Sequence, residues 1–244
     1  MATHYALALE AGGHTIVQVC SRDMGHARRL ADRVGAQAVD SLSQVDRNTD
    51  VCIVAITDDA LYDIGSSLSL GNVLMVHTSG TVPISVFRHV SPRHGVLWSP
   101  QSFVRDMAVE YAELPFCIEG SNEDAALAIE SLARSVSPHI YRTSHTQRQY
   151  LHLASVFVNN FTNALYASAQ QLCAEHGLPF EILYPIITTT TSRVRWGDVR
   201  CQLTGPAVRG DEKTINAHRR LLADNPQLLS LYDQLTALLQ QIKP

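Results

Sequence analysis

An uncharged polar stripe on one predicted helix offers the clearest candidate chemistry in the sequence. The apolar spacing over residues 146–175 predicts a long helix that ends at Gly177. At about 100° per residue, His152, Asn159 and Asn163 fall close to one line on this helix. Solvent-facing stripes normally carry Lys and Glu, so this composition indicates a partly buried polar surface. We predict His152 as a proton donor or acceptor and the two asparagines as groups that orient a substrate.

A compact loop near the C-terminus supplies a candidate for binding an anion. Residues 204–211 read Thr-Gly-Pro-Ala-Val-Arg-Gly-Asp. Arg209 could hold a carboxylate or phosphate through two parallel hydrogen bonds, so we predict that it binds an anionic group of the substrate. Two structural alternatives remain open. The helix stripe could be a polar seam buried in a helical dimer, and Arg209 and Asp211 could brace the loop and cap the next helix.

The elements that must position these residues alternate between strand and helix in the first part of the chain. The predicted strands are the apolar runs at 15–20, 51–56, 73–77, 96–98 and 116–119. Because these runs are continuous, they predict a mostly parallel sheet covered on both faces; a mixed sheet with antiparallel later strands is the alternative. From about residue 147, helical periodicity takes over. We predict an α/β domain over 1–143 and an all-helical domain over 144–244.

Polar side chains follow the predicted strands at the positions where a parallel sheet binds ligands. In an open α/β sheet, ligands lie in the crevice outside the carboxyl ends of the strands. The candidate cofactor-binding residues at these ends are Ser21, Arg22, Thr57, Asp58, His77, Thr78, Ser79, Gly80 and Gln101. The alternative interpretation of residues 77–80 is a tight turn that caps a helix.

Arg22 bears on which dinucleotide such a crevice would prefer. In dinucleotide-binding folds, the end of the second strand meets the adenosine ribose, where an acidic residue favours NAD and an arginine can meet the 2′-phosphate of NADP. The sequence therefore predicts NADP in preference to NAD. The alternative is that Arg22 is an ordinary solvated arginine.

Composition argues against several other classes of protein. A net charge of -4 without clusters of basic residues predicts binding neither to nucleic acid nor to anionic membranes. The five cysteines are scattered, without the spacing of a metal site, as expected for reduced thiols in the cytosol. The sequence contains no signal-peptide pattern and no apolar run of membrane-spanning length. We expect a soluble cytoplasmic protein without a metal site.

Several segments together resemble a known bacterial family. They are His77-Thr-Ser-Gly, Gln101-Ser-Phe, Leu114-Pro-Phe-Cys-Ile-Glu, Leu151-His-Leu-Ala, Asn160-Phe-Thr-Asn, His176-Gly-Leu-Pro-Phe and the loop 204–211. Members of that family join a Rossmann-like domain to a C-terminal helical domain of unknown function (DUF2520). One local departure is Trp98-Ser-Pro-Gln, where family members tend to read Tyr-Pro-Leu-Gln.

The resemblance implies an architecture similar to 6-phosphogluconate dehydrogenase and pyrroline-carboxylate reductase. In that group a nicotinamide-dinucleotide domain is followed by helices that often dimerise and close the active site. It therefore implies a Rossmann-like α/β fold, an NADP cofactor, a small-molecule substrate and a homodimer formed through the C-terminal helices.

The start of the sequence departs further from the family pattern. Members open with a strand and a Gly-x-Gly-Asn turn before Val-Ala-Thr-His, whereas this sequence begins Met1-Ala2-Thr3-His4. The glycine turn cradles the pyrophosphate, and the strand would be central in the sheet. We therefore expect the natural polypeptide to be longer. A stop codon immediately upstream, without a sequence for the strand and glycine turn, would contradict this expectation.

Three functions follow from these observations. The first is an NADP-dependent oxidoreductase that acts on a small carbonyl, hydroxy acid or imine, in which the protein orients the cofactor. The second is a non-catalytic NADP-binding or sensing protein that works through a helical dimer. The third is a helical interaction module with a vestigial nucleotide domain.

Overall fold

The computed structural model describes residues 1–68, 70–104 and 107–242, and it divides into two compact units at 1–160 and 161–244. The division falls later than the boundary expected between residues 143 and 144. Strands do end near the expected place, because the last strand of the described residues ends at Arg142. The first helix after it nevertheless belongs to the first unit, since its side chains pack against that unit's sheet.

The first unit contains short strands that alternate with helices. The strands are β1 (Gln18–Cys20), β2 (Gln37–Val39), β3 (Val51–Val54), β4 (Leu74–His77), β5 (His94–Trp98), β6 (Phe116–Gly120) and β7 (Ile140–Arg142). The helices are α1 (Ala2–Ala11), α2 (Met24–Val34), α3 (Asp58–Ser67), α4 (Glu123–Arg134) and α5 (His145–Ser155). The fold is therefore α/β, as predicted, with β2 and β7 in addition to the predicted strands.

The described strands form two sheets, and the larger one is mostly parallel. Strands β3, β4 and β5 run parallel, β6 pairs antiparallel with β5, and β7 runs parallel to β6. The mostly parallel sheet is confirmed, and the antiparallel step falls among the later short strands. Strands β1 and β2 form a separate parallel pair. The carboxyl ends of β3, β4 and β5 lie at one edge, called the carboxyl edge below.

Both faces of the larger sheet are covered, which explains the continuous apolar runs. In β4, Leu74 and Val76 join a core cluster with residues of α1 and α4, among them Leu9 and Ile129. Met75 lies between them along the strand and points to the other face of the sheet. There it belongs to a second core cluster, with residues of α3 and of the loop that follows α3. A strand buried on both sides has no polar face to alternate with its apolar one.

The second unit is helical, as predicted. Its helices are α6 (Thr162–Glu175), α7 (Tyr184–Arg193), α8 (Pro206–Arg209), α9 (Glu212–Leu221) and α10 (Pro226–Gln241). Between α5 and α6 the chain forms a π-helix over Val156–Phe161 instead of the continuous α-helix that was predicted. No helix among the described residues combines the length and apolarity needed to cross a bilayer.

Candidate functional site

The turn after β4 is organised by its own side chains. His77 ends β4 fully buried, and its Nδ1 accepts a hydrogen bond of 3.2 Å from the backbone N–H of Ser79. The Ser79 hydroxyl accepts hydrogen bonds from the backbone N–H groups of Thr81 (3.1 Å) and Val82 (3.0 Å). Much of the turn's backbone donor capacity is therefore used internally, as the tight-turn interpretation expects. Other groups of the turn, such as the Thr78 side chain, remain candidates for contact with a ligand.

A side-chain hydrogen bond joins this turn to the end of β3. Thr57 precedes α3, and Asp58 in the first turn of that helix accepts a hydrogen bond from the Thr81 hydroxyl. The Thr81 and Ser79 hydroxyls are 3.3 Å apart. The structure thus brings together the strand-end residues 57–58 and 77–80 that the sequence nominated separately.

His152 lies against this turn because residue 80 is a glycine. A Cβ atom on Gly80 would come within 2.9 Å of both the His152 ring and the Trp98 indole. The Trp98 and His152 rings have centroids 6.0 Å apart and are tilted by 46°. Trp98 ends β5, so His152 is held at the carboxyl ends of two neighbouring strands. A glycine permits this close approach because it has no side chain.

Helix α5 carries His152 and is fixed at its start. Ser144 and Gln147 form a capping box, in which each side chain accepts a hydrogen bond from the backbone N–H of the other residue. One turn further, Arg148 is fully buried. Its Nη1 donates to Glu119 Oε2 at 2.5 Å, and its Nη2 donates to the Val82 carbonyl at 2.8 Å. Arg148 is not among the residues nominated from the sequence, although it lies one helical turn before the nominated His152.

Burial determines the electrostatics of the groups under this edge. Burial lowers the pKa of His77 to about 3, and the charge of Arg148 acts in the same direction. His77 is therefore neutral near pH 7, with its proton on Nε2, because Nδ1 accepts a hydrogen bond. Burial likewise raises the pKa of the Cys117 thiol to about 11, so this cysteine is not a thiolate nucleophile. These two groups do not fit a role in proton transfer at neutral pH.

The remaining strand-end candidates are more loosely held. The Ser21 hydroxyl accepts a hydrogen bond of 3.3 Å from the backbone N–H of Asp23. Arg22 is exposed and makes no hydrogen bond or ion pair with the described residues. Gln101 is exposed, and its side-chain oxygen accepts a hydrogen bond from the adjacent backbone N–H of Ser102.

The helix stripe is not as regular as predicted. Asn159 lies half-buried in the π-helix, whose turns contain more residues than those of an α-helix. The spacing of about 100° per residue therefore does not hold between His152 and Asn159, and their predicted alignment on one line does not follow. Asn163 is the second residue of α6 and belongs to the second unit. The roles of both asparagines stay predictions.

Arg209 also belongs to the second unit, at the end of the short helix α8 within the predicted loop. Its guanidinium is exposed. Asp211 caps α9, since its carboxylate accepts hydrogen bonds from both the backbone N–H and the hydroxyl of Thr214. Asp211 therefore caps the next helix, as the structural alternative expects. Anion binding by Arg209 stays a prediction. Within the described part of the chain, no three His, Cys, Asp or Glu side chains are grouped as a metal site.

Comparison with known proteins gives both a family and a fold. The family model described as a domain of unknown function (DUF2520) matches residues 114–238. A crystal structure from Bacteroides fragilis, provisionally named an NADP oxidoreductase, shares 36% sequence identity with a TM-score of 0.90. The match covers 98% of this chain and 94% of that one. No curated protein matches the sequence.

Two more distant structures share the fold. A protein from Thermotoga maritima has 24% identity and a TM-score of 0.81, covering 97% of this chain and 94% of its own. An imine reductase from Myxococcus stipitatus, solved in complex with NADP+, has 13% identity and a TM-score of 0.65. That match covers 99% of this chain and 90% of the imine reductase. The chain thus shares its Rossmann-like fold with a helical C-terminal domain with all three of these solved structures.

Proposed function

The chain belongs to the DUF2520 family, and we propose that it is an NADP-dependent oxidoreductase that acts on a small carbonyl, hydroxy acid or imine. The nicotinamide would supply the hydride chemistry, while the protein binds and orients both reactants. The provisional name of the B. fragilis relative as an NADP oxidoreductase supports this reaction class, and the imine reductase has the same fold.

The observation that carries the proposal is the position of His152 at the carboxyl edge. Its half-buried imidazole packs against Gly80 and Trp98, where the ends of two parallel strands meet. Ligands of open α/β sheets bind at this edge. A histidine there can donate a proton to a carbonyl oxygen or imine nitrogen, or remove one in the reverse direction. Asn159 would orient the substrate, and the substrate-binding roles of Asn163 and Arg209 in the second unit stay predictions.

The residues present at the carboxyl edge fit a dinucleotide. The Tyr5 hydroxyl donates to the Leu97 carbonyl and accepts from the backbone N–H of Ser99, both at 3.0 Å, which places the first turn of α1 beside the end of β5. That turn has neither an acidic side chain nor a side-chain cap. Its N–H groups and the positive end of the helix dipole therefore suit an anionic pyrophosphate.

Arg22 supports NADP over NAD. Its guanidinium at the end of β1 is exposed and has no partner among the described residues, so it is available to a 2′-phosphate. Ser21 would contact the ribose, and the residues at 57–58, 77–80 and 101 would line the remainder of the cofactor site.

We also propose that the protein is a homodimer formed through its second unit. The described residues of α6 and α7 include no buried side chain. Large apolar side chains such as Ile182, Tyr184 and Ile186 are more than half exposed. Exposed apolar surface on this scale usually marks an interface. A second copy offers the same apolar surface, which a twofold interface requires.

The exposed helices also favour a second candidate function, an NADP-binding sensor that works through its dimer without catalysis. This candidate needs the same cofactor site but no proton donor. The two candidates differ in whether hydride is transferred to any substrate, so an activity panel separates them.

Cofactor binding is tested by thermal shift with NADP, with NAD and with neither. We expect NADP to raise the melting temperature more than NAD, and Arg22→Gln to remove this preference. Loss of a charge-assisted contact of about 1.5–3 kcal/mol corresponds to roughly a 10- to 100-fold weaker affinity for NADP. Arg28→Gln, an exposed arginine on α2, is the matched control. Equal shifts with both cofactors, unaffected by Arg22→Gln, would contradict the NADP preference.

Catalysis is tested by incubating the protein and NADPH with a panel of small ketones, 2-oxo acids and cyclic imines. Oxidation of NADPH at 340 nm above the rate without protein supports the oxidoreductase. Cofactor binding without hydride transfer across the panel would favour the sensor.

A further inference from the structure

We propose that Arg148 is a positioning residue, which fixes α5 to the turn after β4 and thereby holds the His152 imidazole against Gly80 and Trp98. The catalytic meaning of this arrangement rests on the proposed role of His152. The arrangement itself is a property of the first unit and can be measured without any substrate.

The contacts of Arg148 join three parts of the first unit. Its guanidinium donates to Glu119 on β6 and to the Val82 carbonyl, two residues after Gly80. The guanidinium also lies 3.3 Å from Nδ1 of His145 at the start of α5. One side chain therefore connects the helix, the sheet and the turn that His152 contacts.

Stability alone does not account for a fully buried arginine. Arg148 is 0% exposed, and its Nε has no hydrogen-bond partner among the described residues. Removing a charge from water is costly, and an apolar side chain of similar size is often as stabilising. Apolar side chains do not, however, form directed hydrogen bonds. The guanidinium contacts the Val82 carbonyl and Glu119 in fixed directions, and this sets the position of the helix against the turn.

Because Arg148 and His152 lie on the same helix, fixing the position of Arg148 also fixes the position of His152. Residues 148 and 152 are four apart in α5, so they lie on the same face one turn from each other. Gly80 likewise lies two residues before Val82. The Arg148–Val82 contact therefore acts directly beside the contact between His152 and Gly80, and loosening the first should loosen the second.

Trp98 reports on this contact without a cofactor. The chain has two tryptophans, and Trp196→Phe removes the other one, which is 77% exposed. Because the His152 ring lies beside the Trp98 indole, replacing that ring in His152→Gln should change the Trp98 emission at pH 7. This change in emission is called the fluorescence step below, and it measures the contact between the two rings.

The test measures this fluorescence step, the change in Trp98 emission on adding His152→Gln, in the Arg148→Met background and in the Arg134→Met background, a control that removes a surface ion pair on α4. We expect the step to fall to less than about half in Arg148→Met and to stay unchanged in the control. Arg148→Lys keeps the charge but lacks the planar fork, so it should restore the step only in part. A full step in a folded Arg148→Met protein would overturn the proposal. If Arg148→Met does not fold, Arg148→Lys takes its place, and a full fluorescence step in that variant would overturn the proposal.

Activity separates this proposal from the proposed function. If hydride transfer is found, Arg148→Met should lower turnover by about 10²-fold with little change in cofactor affinity, as a misplaced catalytic group does. If no substrate is turned over by the wild-type protein, the oxidoreductase proposal fails, whereas the fluorescence step still decides whether Arg148 positions His152.

Discussion

The two units of the chain differ in how they bury apolar side chains. In the first unit, the sheet has a core on both faces, formed by clusters around Val76 and Met75. In the second unit, the buried apolar residues among those described are Ala207, Ile215 and Leu222. The first unit therefore contains the core it needs, whereas the second is expected to complete its core with another surface. The difference supports the proposed dimer through the second unit, whereas the proposed proton donor His152 lies in the first unit.

The largest expected effect comes from placing a charge on the second unit's apolar surface. Ile186→Glu would bury an unpaired carboxylate in the proposed dimer interface, at a cost of several kcal/mol. We expect the dimer dissociation constant to rise by at least about 10²-fold, measured by sedimentation velocity over a dilution series. Tyr62→Glu on α3 is the control, since it introduces the same charge at an exposed position of the first unit. A wild-type protein that stays monomeric over the whole dilution series would contradict the proposed dimer, and with it the proposal that the second unit completes its core with another surface.

A smaller effect is expected from overpacking the first unit at its proposed site. Gly80→Ala introduces a Cβ within 2.9 Å of His152 and Trp98, and we expect it to destabilise the unit by about 1–3 kcal/mol in urea unfolding. The double variant with His152→Ala should lose less than the sum of the two single variants, because one of the clashing rings is gone. Strict additivity would show that His152 does not pack on Gly80 in solution.

The third prediction concerns pH and the buried His77. Its pKa is about 3 when folded and about 6.5 when unfolded, so the unfolded state binds a proton first as the pH falls. Its contribution to stability is therefore complete above about pH 6.5 and is lost towards pH 3, at up to about 1.4 kcal/mol per pH unit. His77→Asn keeps an acceptor for the Ser79 N–H but cannot take up the proton. It should therefore reduce the dependence of the unfolding free energy on pH by up to about 1.4 kcal/mol per pH unit, the contribution of one proton. The free energy of unfolding is measured in urea at several pH values, with Trp98 fluorescence as the signal. The same pH dependence in His77→Asn as in the wild type would contradict the buried neutral state of His77.

The sequence predicted the elements whose patterns are strong. Strands β3 and β4 were predicted because they are continuous apolar runs. The strands β2 and β7 have only three residues each and are partly exposed, so they lack a distinct pattern. An edge strand stabilised mainly by its neighbour carries little sequence signal.

The candidate site was predictable only in part, for physical reasons. Strand-end rules nominated residues 77–80, and helix periodicity nominated His152, yet neither rule could show that Gly80 and His152 touch. The π-helix changes the phase of the helix without an evident sequence signal, which affects the stripe at Asn159. Arginines are rarely fully buried, so the burial of Arg148 required the tertiary structure.

The central claim is that His152 transfers a proton in a reaction in which hydride moves to or from NADP. The most direct measurement is steady-state turnover of His152→Ala on the best substrate of the panel, alongside its affinity for NADP. If His152 is the proton donor, turnover falls about 10²- to 10⁴-fold while cofactor affinity is unchanged. The control is His89→Ala, an exposed histidine on the amino side of β5, which should behave as wild type. Wild-type turnover in His152→Ala would contradict the account.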